Sequence, residues 1–398
     1  MKHLYILSSF VRRMSYLVKG TKKYFQSGQR GTSSGFYPRF SMEKTASQAY
    51  EGTSWQKSRW PNRIVAFSAL ILFFSCQNFE IDHPDYDHTA AYFPYQFPVR
   101  TIILGDYIYD NSNDNDHKFL ISVAMGGVYE NKEDREFTFR IDESLCEDVL
   151  FDQNGDTIRM LPREYFNLSS DNKIVIPRDK FYGSVEVQLT EPFFQDPNSI
   201  NLQYVVPLRL ESSNDVDSIL NGSTSNPDAD PRMAGDWIVA PKNFTMFAVK
   251  YINEYDGNYF HYGSNSISDE SGNVIEENAY SEEFVVNNSV SRLVTTGRNS
   301  VKFSTNMRSD TLSGTIDMIL TFEGEQGIVQ QAEGSPYTIT GTVEYKNGAF
   351  EWGNKPRNGI IMNYTVSDGN FTYEATETLV SRDRAVVLET YNPVKMEP

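Results

Sequence analysis

Beyond residue 76 the chain alternates apolar and polar positions in short runs. Tyr337, Ile339, Val343 and Tyr345 fall on one face of a run whose other face is Thr338, Thr340, Thr342 and Glu344. Ile316, Met318, Leu320 and Phe322 alternate with Thr315, Asp317, Ile319 and Thr321. Tyr204, Val206, Leu208 and Leu210 share a face, and residues 184–189 behave similarly. Period two marks half-buried strands. Gly341 interrupts its apolar face, which predicts a bend or bulge, and Pro207 predicts an edge strand or bulge. Turn dipeptides punctuate the runs: Asn154-Gly155, Asp256-Gly257, Asn347-Gly348 and Asp368-Gly369. Such pairs supply positive φ and close hairpins. Only Glu143 to Leu150 and Val216 to Leu220 suggest short helices. The pattern predicts an all-β protein of antiparallel sandwiches or barrels.

Two stretches break the alternation. Residues 212–242 are rich in Ser, Asn, Asp, Gly and Pro, which suits a linker. Residues 64–75, IVAFSALILFFS, form an apolar run too short for the ~20 residues a spanning helix needs. Lys57, Arg59 and Arg63 precede it, and Ser75 stands before Cys76. A basic flank, a short apolar core and a small residue at the cut describe a secretory signal. Cys76 at the cut resembles the lipobox of bacterial lipoproteins, whose cysteine carries acyl chains. Glu80, Asp82 and Asp85 echo the acid signature of a glycoside hydrolase family. Pro84 interrupts any strand there, and these acids would lie close to the anchor. Glu80 and Asp82 instead resemble the surface-export signal of Bacteroidota lipoproteins.

The expected organisation is a leader at 1–75, a tether at 76–87, a first β-domain at 88–211, a linker at 212–242 and a second β-domain at 243–398. Residues 1–41 read as an upstream mis-start, with Met42 a candidate true start; the alternative is a basic cytoplasmic or nucleic-acid-binding arm, which export would sever. Residues 1–63 hold 12 of the 36 Lys and Arg but two of the 53 acids, so the remainder is more acidic than the whole chain at −17. That repels nucleic acid and anionic membrane surfaces. Cys146 is the one cysteine besides Cys76, and its acidic setting, DESLCEDVL, argues against a reactive thiol.

AYFPYQFPVRTIIL, MLPREYFNL, KIVIPRD, YVVPLRLESS with DSILNG, and FAVKYINEYDGNY occur in that order, followed by TTGRN, EWGNKPRNGIIMNY and SRDRAVVLE. Together they resemble a family of two-domain Bacteroidota surface lipoproteins. The resemblance implies an N-terminal immunoglobulin-like β-sandwich and a C-terminal lipocalin-like antiparallel β-barrel. It also implies a place beside SusC/SusD-type glycan-uptake complexes, hence binding of an oligosaccharide or polysaccharide. Gly257-Asn258-Tyr259 is similar to the lipocalin Gly-x-Trp element, and Arg384 would cover its aromatic ring.

Sugar sites pair aromatic faces, which stack on pyranose C–H groups, with planar polar side chains for the hydroxyls. Trp352 with Asn354, Arg357 and Asn358 forms the best candidate, and Trp237 beside Asp236 a second. The alternative is that both rings pack structurally. Tyr255, Tyr259, His261 and Tyr262 form another aromatic cluster, which reads more naturally as core. Asp110, Ser112 and Asp114 match early EF-hand spacing, but Asn115 and Ile121 replace the required Gly and Glu, so a solvated loop is expected. The scattered His83, His88, His117 and His261 give no zinc pattern. Beyond residue 76 no Gly-x-Ser-x-Gly, P-loop or HExxH occurs. The expectation is a non-enzymatic glycan-binding lipoprotein of the outer-membrane surface, anchored through Cys76, without cofactor. The alternative is a fimbrillin-like pilus or adhesion subunit, activated by cleavage near Arg100 and completed by a donor strand.

Overall fold

The computed structural model describes residue 86 and residues 88–396. The leader, Cys76, Glu80 and Asp82 lie outside the described residues. Among those described, no helix is long and apolar enough to cross a membrane.

The first module is a sandwich. One sheet runs in the order Ser218–Ile219, Ala90–Tyr92, Lys118–Gly126, Tyr182–Leu189, Phe166–Leu168. The facing sheet runs Glu389–Thr390, Pro98–Ile103, Phe244–Ile252, Tyr204–Ser212, Arg135–Ile141, Lys173–Ile176, with Arg159–Met160 also paired on Tyr204–Ser212. Phe119, Ile121, Phe137, Phe139, Val187 and Val206 fill the space between them. Leu145, Phe151, Met246 and Ala248 build a smaller core on the other face of the second sheet.

The second module is a closed antiparallel barrel. Its strands are Gly257–Asp269, Ser289–Gly297, Ser300–Asn306, Thr315–Glu323, Gln326–Gln331, Thr338–Trp352, Lys355–Ser367 and Phe371–Asp383. Gly257–Asp269 pairs with Phe371–Asp383 to close the ring, and its second half also carries Val274–Tyr280. The alternating set Ile316, Met318, Leu320 and Phe322 lies in the interior, as the pattern required.

Several local expectations are corrected. Phe244–Ile252 belongs to the sandwich, antiparallel to Tyr204–Ser212 and parallel to Pro98–Ile103. The barrel begins at Gly257, and the tail after Asp383 returns to the sandwich, where Glu389–Thr390 pairs with Pro98–Val99. Alternation shows that a strand is half-buried but not which sheet receives it. Residues 212–242 are folded against the sandwich: Ser218–Ile219 is a strand, and Arg232 donates to the carbonyls of Leu145 and Glu147. Of the two expected helices, the first is a single 3-10 turn at Glu143–Cys146 and the second contains the strand Ser218–Ile219.

Pro207 sits in an interior strand. It stands where the pairing with Arg135–Ile141 runs out: Leu208 opposes Ile141, the last residue of that strand, and the Pro207 carbonyl accepts from the Asp142 amide just beyond it. Gly341 stays in register with Tyr364. A Cβ there would lie 2.3 Å from the Asn363 carbonyl, so the glycine permits close approach rather than a bulge. The bulge falls at Asn347-Gly348. The hairpin closes instead at Gly353-Asn354, both at positive φ (64° and 57°), between Trp352 and Lys355. Asp256-Gly257 is the junction into the barrel, not a hairpin.

The two modules share side-chain bonds. Arg384 is buried and donates Nη1 to the carbonyls of Leu104 and Asp106, Nε to that of Asp256 and Nη2 to that of Asn253. Tyr259, the ring compared with the lipocalin element, is buried and donates its hydroxyl to the Tyr255 carbonyl.

Candidate functional site

The expected tryptophan sites have structural partners. Trp352 ends Thr338–Trp352, and its Nε1 donates to the Ser381 carbonyl at 2.8 Å. The Arg357 guanidinium lies 3.8 Å from the ring centroid, and Phe260 meets the ring edge-on at 5.5 Å. Arg357 thereby covers a face that a sugar would need. Asn354 is exposed, and its positive φ serves the hairpin. Asn358 donates to Asp106 Oδ2 and the Tyr345 hydroxyl and accepts from the Gly348 amide, so its amide is spent holding strands and modules together. Trp237 donates its Nε1 to the Asp230 carbonyl within the folded 226–237 segment. The structure places Trp352, Asn354, Arg357 and Asn358 around one hairpin and Trp237 apart from them.

The Asp110–His117 loop holds the short helix Ser112–Asn115. Asp114 turns into the protein, pairs with Arg100 and accepts from the Ile103 amide at 3.1 Å. Burial raises its pKa while Arg100 opposes the rise. No group of metal-ligating side chains occurs among the described residues. The Cys146 thiol is pushed up to about 12, chiefly by burial.

Several cavities mark the surface of the two modules. The first, about 750 Å³, is a trough on the outer face of the barrel. Its outward side chains are small and polar, such as Ser264, Ser266, Thr340, Asn363, Glu374 and Thr376, and none offers an aromatic platform. The second, about 380 Å³, lies between two barrel strands and is lined by Ser, Thr, Asn and Arg together with Val290 and Met307.

The third, about 390 Å³, is a groove in the sandwich. It exists because Ala90–Tyr92 pairs with Lys118–Gly126 only at Ala124–Gly126, after which the chain crosses to the other sheet. The Phe93 amide already bonds the Lys242 carbonyl. The edge of residues 118–123 facing away from Tyr182–Leu189 therefore has no strand beside it among the described residues. Phe247 lines the groove and stacks on Phe119, with centroids 5.3 Å apart. Tyr95 and Tyr182 flank it at 66% and 65% exposure, and Leu120 is half exposed. Thr245, also on the wall, has a buried hydroxyl with no partner in the protein. Tyr95 also borders a smaller hollow of about 260 Å³ with Pro94, Arg232 and Lys242. Two exposed rings beside an unmatched hydroxyl and open backbone groups combine stacking faces with hydrogen-bonding capacity.

Sequence reasoning missed this groove. Tyr95 and Tyr182 are 87 positions apart and carry no local signature.

Comparison with known proteins adds the following. A family model described as Domain of unknown function (DUF5627) matches residues 254–385, which is the barrel. A second model, described as an N-terminal domain, matches residues 86–217 in the sandwich. No curated protein matches the chain. A crystal structure of a Bacteroides ovatus protein of unknown function is 31% identical, with a TM-score of 0.73, and the alignment covers 78% of this chain and 100% of that one. An auxiliary nutrient binding protein from Bacteroides thetaiotaomicron aligns at 12% identity and a TM-score of 0.35, over 71% of this chain and 90% of that one. That superposition is too partial to transfer the neighbour's role.

Proposed function

This chain belongs to the same family as the Bacteroides ovatus protein it matches over that protein's whole length, and on that footing we propose that it binds saccharides without transforming them. In this reading a lipid on Cys76 holds it at the outer-membrane surface, where it hands glycan to a SusC/SusD-type uptake complex. The observation that carries the binding reading is the pair Tyr95 and Tyr182, two-thirds exposed on either side of an apolar-floored groove. Here the exposed rings line one groove with an apolar floor, which sets them apart from singly scattered surface side chains. Tyrosine fits such a role, because its face stacks on sugar C–H groups while its hydroxyl remains free for polar contacts.

Native gel electrophoresis in a panel of embedded plant and host polysaccharides tests this reading. Wild-type protein is expected to be retarded by at least one polysaccharide, and Tyr95→Ala with Tyr182→Ala to run as in an empty gel. Equal mobility of wild type and double variant throughout the panel would overturn it.

The open edge of Lys118–Gly126 favours a second reading, a pilus or adhesion subunit that receives a donor strand there. Its proposed cleavage point fits poorly. Arg100 lies inside Pro98–Ile103, paired in register with Val249, and its guanidinium is engaged by Asp114. A cut there would divide a sheet strand. Size exclusion after limited trypsin treatment separates the two readings: ladders favour the pilin, a stable monomer the binder.

A further inference from the structure

The barrel wall is split between Ser289–Gly297 and Ser300–Asn306. These strands pair only from Leu293 with Phe303 to Gly297 with Ser300. Beyond Leu293 the first strand stays bonded to Gly257–Asp269, while the second stays bonded to Thr315–Glu323. The strands diverge, leaving a slot of about 380 Å³. Its lining brings together hydroxyl residues Ser289, Ser291, Ser304 and Thr305 with the arginines Arg292 and Arg308, and it contains no acidic residue. In a chain of net charge −17 the slot presents guanidinium and hydroxyl groups rather than carboxylates.

The two arginines differ. Arg292 is neutralised by Asp256 at 2.6 Å. Arg308 has no carboxylate within ion-pairing distance among the described residues. It donates Nη2 to Ser289 Oγ at 2.8 Å and lies 4.2 Å from the Tyr280 ring centroid, while its buried Nε has no acceptor. Of the nearby carboxylates, Asp317 accepts from the slot's own Ser304 and pairs with Lys302, and Glu377 is engaged by Tyr280 and His261. Glu276 receives Ser309 and Thr311. The Arg308 backbone is fixed as well, because its carbonyl accepts from both Asn265 and Asn278 at 3.0 Å. Ser291 is oriented by His261, whose Nδ1 lies 2.9 Å from Ser291 Oγ and whose Nε2 lies 3.1 Å from Glu377. A half-buried guanidinium without a counter-charge, held in place beside oriented hydroxyls, matches the geometry by which arginine holds planar or tetrahedral oxyanions.

We infer that this slot binds an oxyanion, the carboxylate or sulfate of an acidic saccharide, with Arg308 as its principal contact. The saccharide part rests on the reading above; the anion site does not.

Calorimetric titration of the full chain with galacturonate, galactose, galactose 6-sulfate and inorganic sulfate tests the inference. The acidic sugars are expected to bind, more weakly as salt rises, and galactose not to bind in the slot. Arg308→Gln should weaken them at least tenfold and Arg308→Lys less. Thr305→Val, a small change in the lining, should weaken them several-fold and serves if Arg308→Gln does not fold. Preference for galacturonate identifies a carboxylate ligand, and preference for galactose 6-sulfate a sulfate. Sulfate binding that Arg308→Gln abolishes, without binding of either sugar, would keep the anion site and remove the saccharide reading. Binding of galactose and galacturonate with equal affinity, unaffected by Arg308→Gln, or no binding of any anion, would overturn the inference.

Discussion

Arg384 and Leu104 are 280 positions apart in the chain, and Nη1 of the arginine donates to the leucine carbonyl at 2.9 Å. Arg384 follows the last barrel strand, and Leu104 follows the sandwich strand Pro98–Ile103. Through further bonds to Asp106, Asn253 and Asp256, one buried guanidinium satisfies carbonyls from both modules. Removing it would leave the buried carbonyls of Leu104, Asn253 and Asp256 without this donor, a cost of several kcal/mol in comparable settings. Arg384→Met is expected to lower stability by about 3 kcal/mol. It should also split one calorimetric transition into two; a single unshifted transition would show that the modules are not coupled there.

Trp352 makes a contrasting case. Its ring is held by Arg357, Phe260 and the Ser381 carbonyl, so its role in this account is structural. Trp352→Ala should cost about 2 kcal/mol in urea denaturation, below the ~3–5 kcal/mol of a fully buried aromatic, because the ring is half-buried. Saccharide retardation should persist in that variant. Loss of retardation with unchanged stability would return the site to the tryptophan hairpin.

Glu276 links pH to one loop. Its carboxylate accepts from Thr311, Asn278, the Asp310 amide and Ser309, and these bonds hold its pKa down to about 2 from an ordinary value of 4.5. A carboxyl group whose pKa is lower in the folded state adds stability above the ordinary value and loses it as pH falls. The 307–314 loop should therefore hold its amide protection at pH 6 and lose it progressively below about 4.5. Hydrogen exchange of the Asp310 amide reads this directly, and Glu276→Gln should show fast exchange already at pH 6.

Burial pushes the Cys146 thiol up to about 12, with Arg232 opposing the rise and Glu143 and Asp142 adding to it. The thiolate is the reactive form. A thiol reagent at pH 8 should leave Cys146 unmodified in the folded protein and label it within minutes in urea. Rapid labelling of the folded protein would show that residues 143–150 open readily.

Much of the architecture was legible because alternation reports burial directly. Ile316 to Phe322 faced inward as read, and Asp368-Gly369 does turn between Lys355–Ser367 and Phe371–Asp383. The missed features depend on pairing between distant segments. Phe244–Ile252 carries the same alternation in either module, and only its partners place it in the sandwich. Asn347-Gly348 has turn chemistry but became a bulge because Gly353-Asn354 closes the same hairpin. The Tyr95–Tyr182 groove arises from a strand that ends early, and the Arg308 slot from two strands that diverge. Neither event leaves a local mark in composition or spacing. Trp352 drew notice for its size, yet its neighbours, not its type, fix its role.

Whether the sandwich groove receives a sugar ring on an exposed tyrosine is read from a crystal structure of the protein with an oligosaccharide that retards it in the gel. A pyranose face is expected to stack on Tyr95 or Tyr182, with a hydroxyl reaching Thr245 or the backbone of residues 120–122. A ligand seated in the barrel trough or on Trp352, with the groove filled only by solvent, would contradict it.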